Sequence, residues 1–246
     1  ARQPMRHASH ASSNDGATPR VYGYSLPVLM KRPSPFAHTV LLAWLGSPAA
    51  HDFEPRLFEM CLTASITNGP GSISAQGAKL AASAGNEPNT AMMATLGTIG
   101  SVHGGNGKDA ALFLVRVFQD TGLTDPYSRK KAPTLHKLVQ TFAADYHRRK
   151  LTAKDAGVDI EKVPCLGHPV FNTETVNFDP RERVISRHLE EKGLYNVFLD
   201  FYHRLARELM NQGVTTKVHA VNVDAVLACV CLGIAWPLLV EKKISL

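Results

Sequence analysis

Along most of this chain apolar residues recur every three or four positions, the spacing of one face of an α-helix. Between Glu54 and Thr67 the residues Leu57, Phe58, Cys61, Leu62 and Ile66 keep that spacing, and the run stops at Asn68-Gly69-Pro70-Gly71. Asp109–Thr121 repeats it through Leu112, Val115 and Phe118, and Pro133–Lys150 repeats it with a more charged outer face. Phe36–Gly46 reads as a short apolar helix closed by Gly46 and Pro48. Ser72–Ala84 and Asn89–Ser101 are rich in Ala, Gly and Ser, so each helix can pack closely against a neighbour. Further helices are expected over Pro180–Lys192, Tyr195–Gln212 and Val223–Leu232, the last of them broken by Gly233 and Pro237. No convincing series of alternating strands competes with these, so the expected fold class is all-α.

Two stretches depart from the pattern. Residues 1–20 are mostly small and polar, with Ser and His recurring and no apolar periodicity, which predicts a flexible arm. Val21–Pro35 follows as an extended lead-in carrying three prolines. Periodicity lapses again over 156–179, around Gly157, Pro164, Gly167 and Pro169, and long irregular connections inside compact domains tend to be functional. The expectation is an arm over 1–20 and one domain over 21–246, with a smaller helical lobe falling within 110–215.

Composition narrows the classes. A hydrophobic fraction of 44% and a charged fraction of 20% are those of an ordinary globular protein. No apolar run reaches the roughly 20 residues of a membrane span, and the first residues lack the apolar core of a secretory leader. A cytoplasmic protein without a membrane partner is expected. Cys61, Cys165, Cys229 and Cys231 show neither a CxxC pair nor metal-ligand spacing, which points to reduced thiols and no metal. The net charge of +6 lies largely in Arg129–Lys131 and Arg148–Lys150. That is not the dense basic stripe of a nucleic-acid binder, so no nucleic-acid partner is expected, although it suits capture of a small polyanion.

Polar residues with chemical potential gather where helices start or stop. Thr67-Asn68-Gly69-Pro70-Gly71-Ser72 is either a plain turn or a close backbone approach to a ligand, with Ser72 able to cap the next helix. His103 sits in Gly100-Ser101-Val102-His103-Gly104-Gly105, just ahead of an amphipathic helix. The positive end of that helix favours a neutral imidazole that donates to a carbonyl. A structural role fits the same residues. His168 lies in the loop Val163-Pro164-Cys165-Leu166-Gly167-His168-Pro169-Val170, and Asp179-Pro180-Arg181 follows, its arginine a forked donor for carboxylates. An exposed loop histidine and a surface arginine are the alternative. Asp224, in Asn222-Val223-Asp224, heads the most apolar helix, as an N-cap or as a general base.

In order and company these four motifs resemble the citrate synthase superfamily, over about Val21 to Leu246. The earlier segments Phe58-Glu59-Met60-Cys61-Leu62, Asn68-Gly69-Pro70 and Leu96-Gly97-Thr98-Ile99-Gly100 are most similar to the citryl-CoA lyase module of ATP-citrate lyase. That resemblance implies a citrate synthase-like helical fold in a short form without the long N-terminal helical region. It implies an acyl-CoA carbon–carbon lyase that cleaves citryl-CoA, or a related 3-hydroxyacyl-CoA, to acetyl-CoA and oxaloacetate or another 2-oxo acid. Carried over residue by residue, His103 would polarise the thioester carbonyl and Asp224 would be the acid/base at the methyl carbon. His168 would exchange a proton with the substrate oxygen, while Asn68 and Arg181 would bind the oxo acid. Val163, Leu166 and Gly167 would offer backbone to the adenine end of coenzyme A. The resemblance also implies no permanently bound cofactor, with the coenzyme A thioester as substrate, and a homodimer or higher homo-oligomer.

Three departures stand out. Asn68 replaces a histidine usual in the family, Pro169 stands where arginine is frequent, and no arginine follows Arg207. An amide donates a hydrogen bond but carries no charge, so substrate identity is open at Asn68. The missing arginines imply either more chain than is given or a less anionic substrate. A citrate or methylcitrate synthase-type condensation is the near alternative. A non-catalytic coenzyme A-binding paralogue, or a helical interaction protein whose motifs are only turns and caps, is the alternative from another class.

Overall fold

The computed structural model describes residues 11–14, 16–66, 69–100, 103–130 and 132–245. Asn68 lies outside them. The chain divides into two compact units, Ala1–Thr63 and Ala64–Leu246.

In the first unit strands β1 (Ser12–Asn14), β2 (Pro19–Val21) and β3 (Tyr24–Ser25) form a small antiparallel sheet, with Ser12 opposite Val21 and Arg20 opposite Ser25. Backbone pairing needs no apolar periodicity, which is why part of this sheet falls in a stretch without it. Helices α1 (Leu26–Leu29), α2 (Pro35–Leu45) and most of α3 (Glu54–Ser65) follow. They bury Leu29, Leu41, Leu42, Leu57 and Phe58, and Trp44 meets Phe58 edge-on at 5.4 Å.

The second unit is helical: α4 (Ile73–Ser83), α5 (Pro88–Gly97), α6 (Asn106–Phe118), α7 (Leu135–Asp155), α8 (Pro180–Glu191), α9 (Val197–Asn211) and α10 (Val223–Val240). The all-α expectation holds. α10 packs against α6, α8 and α9, α7 packs against α9, and α4 pairs with α5. Phe113, Phe118, Phe198, Phe201, Tyr202 and Trp236 are buried where these helices meet, with edge-on and tilted ring contacts of 5.1–6.4 Å.

Two helices outrun their expected ends. α7 continues five residues past Lys150, because Leu151, Ala153 and Lys154 are good helix formers and the first break is Gly157 at φ +66°. α10 runs through both Gly233 and Pro237. Gly233 is there for contact: a Cβ would stand 2.9 Å from Tyr127 Oη and 3.1 Å from Asn196 Nδ2. Asn196 Nδ2 donates to Cys229 O at 3.0 Å, and Trp236 Nε1 donates to Leu123 O at 2.9 Å, so the helix is stitched to its surroundings on both sides of the glycine. By length and composition α10 could cross a membrane, yet more than half of it is buried within the protein, as in a core helix.

The Gly233→Ala variant is expected to lose about 1–3 kcal/mol, since the added methyl meets hydrogen-bonding groups with little room to move. Urea unfolding followed by far-UV circular dichroism checks this; an unchanged midpoint would mean that Tyr127 and Asn196 yield freely.

Candidate functional site

His103 lies in a closed turn of the second unit. Gly100 N–H donates to His103 O at 2.8 Å, and His103 N–H returns to Gly100 O at 3.1 Å. Gly104 takes φ +79° and its missing Cβ would press on Ile99 Cγ2 at 3.0 Å, so glycine closes this turn where other residues would strain it. The ring is held from the start of α4. Ser74 N–H donates to His103 Nε2 at 3.3 Å, and Ser74 Oγ stands 3.0 Å from the same nitrogen. A backbone N–H can only donate, so Nε2 is unprotonated and the imidazole carries its proton on Nδ1. The helix expected to supply this N-terminus is α6; the N–H that reaches the ring belongs to α4.

His168 is fixed by the same logic at its other nitrogen. Val170 N–H and Phe171 N–H donate to Nδ1 at 3.1 and 3.3 Å, and the Phe171 ring stacks at 4.3 Å. The proton therefore sits on Nε2. Burial holds His168 below the ordinary histidine range against the pull of the Asp179 carboxylate, with Arg181 adding to the depression and Asp224 opposing it. Those influences put His168 in the same electrostatic neighbourhood as the Asp-Pro-Arg segment and Asp224.

Asp224 is not the cap of α10. Asn222 takes that position, its Oδ1 accepting from Ala225 N–H at 3.1 Å. Asp224 is the second residue of the helix, half-buried, and no hydrogen bond to its carboxyl group is seen among the described residues. Gly107, in the first turn of α6, would put a Cβ 3.5 Å from Asp224 O. The helix that follows the His103 turn thus lies close against the backbone of Asp224.

Arg181 is committed to Asp179. Its Nε and Nη2 donate to the two carboxylate oxygens at 3.0 and 2.8 Å, and Nη1 has no protein partner among the described residues. Asp179 is fully buried. It also accepts from Arg181 N–H at 3.0 Å, capping α8, and from Val223 N–H at 3.1 Å, at the head of α10. Burial pushes its carboxyl group up, but the hydrogen bonds from Arg181 and Val223 outweigh this, and the net shift is downward. The Asp-Pro-Arg motif is thus a clamp between two helix ends, and of the Arg181 guanidinium only Nη1 stays outside it.

Val163 and Leu166 line a groove of about 610 Å³ along the last turns of α7, with Lys150, Lys154 and Lys162 around it. Lys150 is tied to Val214 O at 2.7 Å. Burial, then Lys217 and Lys150, hold the groove's His219 below its usual value. Gly167 offers less backbone than expected: its N–H is taken by Ala220 O at 2.7 Å, and its carbonyl accepts from Asn222 Nδ2 at 3.4 Å. Leu166 opposes Val221 in an isolated antiparallel bridge whose bonds come from its neighbours Cys165 and Gly167, so its own N–H and C=O stay outside the pairing. Among the described residues no cluster of three metal-ligating side chains occurs.

Sequence reasoning passed over Ser74, Asn222 and Asp179 as working parts. Asn222 and Asp179 had a readable signal, a short polar side chain just before a helix, whereas Ser74 had none. Asp179→Ala is expected to lose about 3–5 kcal/mol, because it strands the Arg181 guanidinium and frees two helix-end N–H groups. Since the folded carboxyl is held below its usual 3.8, its contribution is complete above that value and is lost as pH falls through the folded pKa. Denaturant titrations from pH 7 to pH 2 should show the wild-type advantage shrinking at the acid end; a constant difference would contradict the assignment.

The family model described as "Citrate synthase, C-terminal domain" matches residues 16–238. No curated protein sequence matches. Among solved structures, citryl-CoA lyase from Hydrogenobacter thermophilus superposes with a TM-score of 0.68 at 23% identity, over 96% of this chain and 82% of the other. ATP citrate lyase from Methanothrix soehngenii, in complex with citrate and coenzyme A, gives 0.68 at 18% identity, over 96% of this chain and 33% of the other. A mutant ATP citrate lyase from Methanosaeta concilii, in complex with (3S)-citryl-CoA, gives 0.65 at 18% identity with the same coverage. At these identities the superpositions show a shared fold, and the family match spans most of the chain: the protein belongs to the citrate synthase C-terminal domain family.

Proposed function

We propose that the chain acts on the carbon–carbon bond beside a coenzyme A thioester, cleaving citryl-CoA or a related 3-hydroxyacyl-CoA to acetyl-CoA and a 2-oxo acid. The observation that carries this reading is the hydrogen-bonding state of its three polar groups. His103 offers Nδ1–H, His168 offers Nε2–H, and Asp224 keeps a carboxyl group without a hydrogen bond among the described residues. An enolate is costly in water and needs fixed donors where its charge develops, together with a base or acid at the carbon.

In cleavage His168, once its proton has moved from Nε2 to Nδ1, takes the hydroxyl proton on Nε2 as the carbon–carbon bond breaks, and the bond's electrons pass into the thioester to form an enolate. His103 Nδ1–H holds its oxygen, and Asp224 delivers a proton to the methylene carbon to give acetyl-CoA. Arg181 Nη1 meets a carboxylate of the oxo acid. The groove at Val163 and Leu166, with its lysines, suits the adenine and phosphates of coenzyme A.

One observation favours the reverse direction as a second reading. The backbone donors on His168 Nδ1 leave a proton on Nε2, the state that donates to an oxo acid carbonyl before condensation. To begin cleavage, His168 must first move that proton to Nδ1 and release Val170 and Phe171.

The reading extends to assembly. α4 and α5 contain no buried residue, while Leu80, Met92, Met93 and Leu96 are each more than 60% exposed. Short helices gain most of their stability from packing, and an apolar surface of this kind suits a second copy of the chain.

Citryl-CoA should be cleaved with release of oxaloacetate, followed through malate dehydrogenase and loss of NADH. Asp224→Ala should reduce turnover by about 1000-fold or more while coenzyme A binding persists. A folded wild type that binds coenzyme A but cleaves neither citryl-CoA nor a shorter homologue would count against the lyase reading. Sedimentation should give a dimer or larger assembly that Leu80→Glu combined with Met93→Glu dissociates; a wild-type monomer would contradict the assembly.

A further inference from the structure

Cys165 stands three residues before His168 with φ +59°, in the left-handed region that disfavours a β-carbon. Glycine would relieve that conformation, and the thiol has a use that glycine could not serve. Its Sγ–H donates to Asn106 O at 3.2 Å, at the first residue of α6 and three residues after His103. Its carbonyl accepts from Asn222 N–H at 3.1 Å, at the cap of α10 and two residues before Asp224. One residue is therefore bonded to the segment behind His103 and to the segment ahead of Asp224, and sits on the loop of His168.

We infer that Cys165 is a positioning residue, whose thiol and backbone together hold the His168 loop in register with the His103 turn and the head of α10. It does so without being a nucleophile. Burial, and then the Asp224 and Asp109 carboxylates, push the thiol up to about 12, so it stays protonated and keeps its donor. The inference rests on the proposed roles of His103, His168 and Asp224, and its test separates the two.

Cys165→Gly and Cys165→Ala both remove the bond to Asn106, whereas Cys165→Ser keeps an O–H donor. Cys165→Gly also removes the backbone strain, so its melting temperature should equal or exceed that of the wild type. Its kcat should nevertheless fall about tenfold or more, with KM for the acyl-CoA within about twofold, as misplacement of reacting groups predicts. Cys165→Ser should recover most of kcat. Hydrogen exchange read by mass spectrometry requires no turnover: amides 166–171 should exchange faster in the glycine and alanine variants than in the wild type or the serine variant. If the wild type fails to cleave citryl-CoA, the functional proposal falls and the exchange pattern alone decides this inference. Glycine and alanine variants with wild-type protection over 166–171, or a serine variant no better protected than glycine, would overturn it.

Discussion

A single buried carboxylate organises the site. Asp179 is closed off from solvent and accepts hydrogen bonds from the Arg181 side chain, from Arg181 N–H and from Val223 N–H. A buried charge is tolerable only when it is paired and hydrogen-bonded, so these partners must assemble together. Once they do, the heads of α8 and α10 are locked side by side. Asp224, the residue after Val223, inherits its position from that lock, and Arg181 is left with only part of its guanidinium for a ligand. The network that fixes the fold here also decides how much of the Arg181 guanidinium stays outside it.

The imidazoles are governed differently, by backbone amides rather than by charged partners. Ser74 N–H selects one tautomer of His103, and the Val170 and Phe171 N–H groups select the opposite tautomer of His168. Backbone donors cannot ionise or swing away on their own, so the choice of tautomer follows the local fold. For His103 that fold is the start of α4, part of a helical pair whose apolar faces lie open. Whatever covers α4 and α5 therefore bears on the orientation of His103 as well as on stability.

Much of this was legible in the sequence, and the rest was hidden for identifiable reasons. Periodicity located the helices because each buries one face, and it misjudged α10 because Gly233 looks like a breaker when only its neighbours Tyr127 and Asn196 reveal it as a contact. His103, His168, Arg181 and Asp224 stood out through ordered motifs, and of the two readings left open for Asp224 the cap falls to Asn222 instead. Ser74 and Cys165 were silent because their work depends on partners far along the chain, His103 and Asn106. A serine two residues into a helix and a cysteine in a loop carry no local sign of such ties.

The central claim is that these groups generate and hold an acetyl-CoA enolate, and solvent exchange at the acetyl methyl group tests it most directly. Acetyl-CoA would be incubated with the protein in deuterium oxide, with an unreactive 2-hydroxy acid filling the oxo acid position, and deuterium in the methyl group read by mass spectrometry. The account predicts exchange well above the solution background in the wild type and its loss in Asp224→Asn. Background exchange from a folded protein that binds acetyl-CoA, or undiminished exchange in Asp224→Asn, would contradict it.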